Sequence, residues 1–153
     1  MNKQQLAAKI WRTANKMRSK IEANEYKDYI LGFIFYKFLS DKEIIFLKQE
    51  GIEGDELKTI TEDNIEVVDY IQQNLGYFID YNNLFSTWLD LGRQFSVSMV
   101  RDALSAFDRK ISPNHKKLFE KIFDTLQTGL SKLGATDNER SSAIRDIIAL
   151  IKE

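Results

Sequence analysis

The stretch "YKDYILGFIFYKFLSDK", residues 26–42, decides how the rest of the chain is read. Within it, eleven residues from Tyr29 to Leu39 carry a single charge, Lys37. Such a run fits a membrane segment, a core helix or a partner-binding face. A membrane-spanning helix needs about 20 apolar residues, and this run stops at "SDKE", so it reads as a core or interface helix. Tyr29, Ile30, Phe33, Phe38 and Leu39 supply one apolar side of a helix over residues 25–49, and Leu31, Ile34 and Phe35 supply another. Apolar character on most sides predicts a helix surrounded by others. Gly32 costs about 1 kcal/mol relative to alanine inside a helix, which predicts that another helix passes close to it. Lys37 is expected to reach an edge with its charged head.

Upstream, Leu6, Ile10, Met17 and Ile21 recur at helical spacing and fall in one narrow stripe, with Trp11 near its far edge. Lys9, Arg12, Lys16 and Lys20 occupy a different arc, and Arg18 adds to the same basic segment. Residues 1–20 hold six cations and no acid, so a chain total of −1 leaves −7 on the remainder. A neutral total therefore conceals a basic end and an acidic body, and local charge is what attracts a phosphate. Lys9, Arg12, Lys16, Arg18 and Lys20 are the candidate DNA-phosphate contacts; the alternative is a solvated charged face.

Downstream, "QEGIEGDELKTITEDNIE" reads as a loop, with Thr59 and Glu62 as a capping box for a helix through about residue 73. Gly76 is a helix stop, and residues 77–79 form a short extended segment, too short to build a sheet alone. Asn82 or Asn83 caps a short helix that Gly92 ends. Ser96 caps a helix carrying Val97, Val100, Leu104 and Phe107. Ser112 and Pro113 open another, carrying Leu118, Phe119, Ile122, Phe123 and Leu126. Thr136 and Glu139 form a capping box before Ile144, Ile147, Ile148 and Ile151. The expectation is an all-α fold: one compact domain over residues 1–153, about six or seven helices, and at most one extended segment near 77–79. A chain of 153 residues can bury roughly 70% of the surface its unfolded form exposes.

Catalysis finds little support. With no cysteine and one histidine, thiol chemistry and thiolate metal sites are excluded and no metal-ligand spacing is present. His115, in "PNHKKL", reads as an exposed polar residue on a first helical turn. "GIEG" lacks the spacing and the flanking strand of a nucleotide-binding turn. Asp41 with Glu43, or Glu62 with Asp63, read as solubilising charges. No residue is assigned a catalytic, cofactor-binding or metal-binding role. Arg109, Lys110, Lys116, Lys117 and Lys121, opposed in that span only by Glu120, form a second local excess of +4. They are the weaker candidates for contact with a nucleic-acid backbone.

"LAAKIWRTANKMRSKIEANEYKDYILGFIFYKFLSDK", "GYFIDYNNLF", "LFEKIFD" and "SKLGATDNERSSAIRDIIALI" occur in that order over nearly the whole chain. Together they resemble the N-terminal helical domain of the modification (methyltransferase) subunit of type I restriction-modification systems. Asp80 and Tyr81 stand where that family often has a proline, and "RSK" replaces the commoner Leu-Arg-Gly-like ending of its first helix. The resemblance implies a parent enzyme that binds S-adenosylmethionine and methylates adenine through an Asn-Pro-Pro-aromatic motif in a following domain. A chain with one proline cannot contain that motif. It implies, too, a cytoplasmic domain without membrane contact that helps subunits assemble and close around double-stranded DNA. The implied partners are specificity and modification subunits, with the restriction subunit as a further one. The alternative is a purely structural protein-protein interaction module that never touches DNA.

Overall fold

The computed structural model describes residues 3–5, 7–8 and 23–152. The basic candidates Lys9, Arg12, Lys16, Arg18 and Lys20, with Leu6, Ile10, Trp11, Met17 and Ile21, lie outside the described residues.

The apolar run forms the centre of helix α1, Ala23–Gln49, whose 27 residues span about 40 Å at 1.5 Å per residue. It is followed by α2 (Ile65–Leu75), α3 (Phe85–Leu91), α4 (Val97–Arg109), α5 (Lys116–Phe119), α6 (Asp124–Gly129) and α7 (Asp137–Ile151), with short 3-10 turns between them. Among the described residues there is no strand, and residues 77–80 run as a connection between α2 and the 3-10 turn Tyr81–Asn83. The fold is all-α.

Helices α3, α6 and α7 all pack on α1. The approach foreseen at Gly32 is made by α6: a Cβ on Gly32 would lie 3.1 Å from Cβ of Leu126. Aromatic rings fill the centre. Tyr36 stacks on Trp88 with ring centroids 4.7 Å apart, Trp88 stacks on Phe95 at 5.1 Å, and Phe107 meets Phe123 edge-on at 5.2 Å, separations at which aromatic pairs add to simple burial. Ile144, Ile147, Ile148 and Ile151 close this core from α7, as their spacing predicts. Leu47, Ile60, Val68, Ile71 and Phe78 form a smaller cluster beside it.

Several helix ends differ from expectation, and at α3 and α4 a distant side chain bonds the first amide. Thr59 and Glu62 make no capping box. Thr59 ends a 3-10 turn and its hydroxyl donates to the Glu56 carbonyl, while the Glu62 amide donates to Asp80 Oδ2 at 3.0 Å. Neither Asn82 nor Asn83 caps α3; Ser40 Oγ, projecting from α1, accepts the Phe85 N–H at 2.8 Å. Ser96 holds the cap position of α4, yet Ser141 of α7 accepts the Val97 N–H at 2.9 Å. Half of the box at α7 forms as expected: Thr136 Oγ1 accepts the Glu139 N–H at 3.2 Å, while Glu139 Oε2 reaches past the cap residue to accept the Ala135 N–H at 2.9 Å.

The helix expected after Pro113 is broken. Glu120 is extended and Lys121 has φ 66°, so α5 stops after one turn and α6 starts afresh at Asp124. A left-handed residue cannot continue a right-handed helix. Gly76 ends α2 with φ 91° as expected, and Lys37 pairs with Asp41 at 2.8 Å along the exposed side of α1.

Candidate functional site

Two faces of α1 stand out, and the sequence separates them by phase. Phe33, Tyr36, Ser40, Glu43 and Leu47 follow a three-four spacing and are all buried. Leu31, Phe35, Phe38, Lys42 and Ile45 follow the same spacing about half a turn away and are exposed. The expectation of a helix enclosed on most sides is thus corrected: Phe38 and Ile45 each keep 58% of their surface in solvent. The described neighbours bury one side of α1 and only reach the border of the other, where Phe35 meets Phe123 with ring centroids 6.0 Å apart. Phe35 and Phe38 stack parallel on the outer face, with centroids 6.3 Å apart.

The inner face carries a polar seam. Tyr77 Oη donates to the Leu39 carbonyl and Tyr36 Oη to the Asn83 carbonyl, each at 2.7 Å. Glu43 Oε1 accepts the Ile79 N–H at 2.8 Å. With Ser40 on Phe85, these bonds fasten the segment between α2 and α3 to α1 by groups that a helix would ordinarily turn to water. Asp80 completes the turn: Oδ1 accepts the Asn82 N–H at 2.9 Å, at a backbone φ of −63°.

Glu43 is the residue that the sequence reading misplaced. It is fully buried and not a solubilising charge, and its Oε2 has no hydrogen-bond partner. Burial raises its pKa well above the ordinary carboxylate range, with Asp80 acting in the same direction and the Ile79 N–H against it. Burial likewise raises Tyr36 and Tyr77, with the Glu43 charge second in each case. The available signal was phase: Ser40 and Glu43 stand in register with Phe33, Tyr36 and Leu47.

The weaker basic candidates do not gather into one uninterrupted patch. Arg109 lies 3.8 Å from Glu62 Oε1. Lys110 is half-buried, and its carbonyl accepts a bond from Gln72. Lys116, Lys117 and Lys121 are exposed on α5 and the turn after it. Asp108 lies among acids there: burial raises its pKa, and the charges of Asp124 and Glu120 add to the rise. His115 is half-buried, correcting the exposed reading. Its ring covers Gly76, where a Cβ would come within 2.8 Å, and its Nδ1 is buried without a partner.

The described residues contain no group of three or more His, Asp or Glu side chains placed to hold a metal ion. Gly51 and Gly54, the glycines of "GIEG", have φ 85° and 63° in an exposed turn that leads into the 3-10 turn Gly54–Thr59. This is no strand-to-helix cradle, and the residues present do not fit an adenosyl cofactor. No helix among them is long and apolar enough to cross a membrane.

The family model of the HsdM N-terminal domain matches residues 6–151. The chain belongs to this family. The residues that carried the resemblance are, in the structure, those of the seam: "FYKFLSDK" supplies Tyr36, Leu39 and Ser40, and "GYFIDYNNLF" supplies Tyr77, Ile79, Asn83 and Phe85. Among curated proteins, this HsdM N-terminal domain is similar to the type I restriction enzyme MpnII methylase subunit of Mycoplasma pneumoniae. The two are 23% identical over 158 residues, covering 94% of this chain and 29% of the relative. Among solved structures, it shares its fold with the type I restriction-modification system methyltransferase subunit from Streptococcus thermophilus. There the TM-score is 0.80 at 24% identity, covering 99% of this chain and 34% of that one. The chain thus spans about a third of the length of the relatives it matches.

Proposed function

We propose that this HsdM N-terminal domain is a non-catalytic assembly domain of a type I adenine methyltransferase subunit, joining subunits and helping them to close around DNA. The observation that carries the reading is the outer face of α1. A stacked phenylalanine pair flanked by Leu31 and Ile45 is costly to leave in water, and exposed apolar surface of this kind marks protein contact sites. Its proposed occupant is another subunit of the type I assembly, specificity or modification, with the restriction subunit as a more distant partner. S-adenosylmethionine and the transfer of its methyl group to adenine belong, in this reading, to the remainder of the parent enzyme. A cytoplasmic location follows from the same role.

The basic segment holding Lys9, Arg12, Lys16, Arg18 and Lys20 is proposed to meet the DNA backbone, with Lys116, Lys117 and Lys121 as secondary contacts. Phosphate contacts release counterions and make affinity steeply salt-dependent. Replacing Lys9, Arg12, Lys16 and Lys20 by glutamine in the assembled enzyme should therefore weaken DNA binding and flatten its dependence on salt. Replacing Phe35 and Phe38 by serine should reduce subunit association in analytical ultracentrifugation while the domain stays folded. Unchanged association would remove the assembly reading.

A second reading, a structural module with no DNA contact, is favoured by the acids Asp108, Glu120 and Asp124 beside the second basic group. Crosslinking of the assembled complex separates the two. A basic segment that crosslinks only to protein supports the structural module, and one that crosslinks to DNA supports the clamp.

A further inference from the structure

We propose that Glu43 is a proton-operated latch, holding the segment of residues 77–83 against α1 while its carboxyl is protonated and letting that segment open to water once it ionises. The inference rests on what surrounds the carboxyl. One oxygen is held by a single backbone N–H, from Ile79, and the other is buried with nothing to bond. Among the described residues, no Lys or Arg forms an ion pair with it. The ionisable groups facing it are Tyr36, on the same helix, and Tyr77 and Asp80, on the connecting segment. Asp80 would repel a carboxylate. The two phenols have already committed their protons, to the carbonyls of Asn83 and Leu39, so neither can solvate a charge on Glu43. The neighbouring carboxylate of Glu62 faces Arg109 of α4 instead.

An unpaired buried carboxylate costs several kcal/mol, and the group has two ways to avoid it. It keeps its proton, or it admits water. The second route requires the Ile79 connection to lift from α1, since that backbone covers the carboxyl. On ionisation the O–H bond breaks, the proton passes to buffer, and the electron pair stays on the carboxylate. The closed state holds the proton more tightly than the open one. The latch is therefore fully effective below the ordinary carboxylate range, and weakens as pH rises from there through the raised closed-state value.

Amide hydrogen exchange at Ile79 and Phe85, corrected for the intrinsic effect of pH, reads the opening directly. In the wild-type domain, protection should fall by up to about tenfold per pH unit as pH rises above the ordinary carboxylate range, while amides in α7 hold theirs. Glu43→Gln keeps an acceptor for Ile79 but cannot ionise, so its protection should stay flat over the same range. Parallel profiles in the two proteins would overturn the latch. Should Glu43→Gln fail to fold, infrared spectroscopy of the wild-type domain decides. The latch requires the carbonyl band of a protonated carboxyl to persist above the pH at which the exposed carboxyls lose theirs, and its loss together with theirs overturns the proposal.

Discussion

The inner and outer faces of α1 have the same three-four spacing and comparable apolar content, yet only one is covered. Phe33, Tyr36 and Leu47 are buried, whereas Phe35, Phe38 and Ile45 face water. What distinguishes them is the polar residues in each stripe. The inner stripe holds Ser40 and Glu43, short enough to stay inside and bonded to backbone amides of another element. The outer stripe holds Lys42, whose long stem and charge require solvent. On a helix that is apolar all round, the polar side chains show which face is buried.

Four substitutions test that contrast, and the first removes the most. Tyr36→Ala deletes the ring stacked on Trp88 and the bond to Asn83, and should cost about 3–5 kcal/mol by urea denaturation. A smaller cost is expected from Ser40→Ala, which strands the buried Phe85 N–H without an acceptor: about 1–3 kcal/mol, with faster exchange at Phe85. Thr136→Ala, at a cap remote from both faces, should lower stability by about 1 kcal/mol. On the outer face, Phe38→Ser should change stability by no more than about 0.5 kcal/mol while lowering self-association or subunit binding. A Phe38→Ser loss as large as that of Tyr36→Ala would abolish the distinction between the faces.

The elements themselves were largely legible in the sequence. Periodicity ended α1 at Gln49, its observed last residue, and Gly76 and Gly92 ended helices where expected, because these are local effects. The close approach at Gly32 was also readable, since a glycine inside a long apolar helix has few other reasons to be there. The caps were not. Ser40 serves an amide 45 residues away and Ser141 one 44 residues away, and a local motif search finds only partners within one turn. The same limit hid Glu43, whose environment comes from the connection between α2 and α3. Lys121 defeated the helix expected over residues 113–126, because the apolar pattern continues through it while the backbone does not. Of the candidate site, charge counting found Lys116, Lys117 and Lys121 but not Glu62 beside Arg109, which only the fold brings near.

Asp80 carries one last consequence. Its φ of −63° is the angle to which a pyrrolidine ring would lock the chain. An aspartate and a proline come to that angle by different routes. Proline narrows the unfolded ensemble in advance, whereas Asp80 shapes the turn locally through the Asn82 amide and ties it to the rest of the fold through the Glu62 amide, 18 residues away. In this chain the turn between α2 and α3 is therefore held partly by a local bond and partly by tertiary structure. Breaking the Glu62 bond should therefore loosen the turn's hold on the fold without removing its local bend.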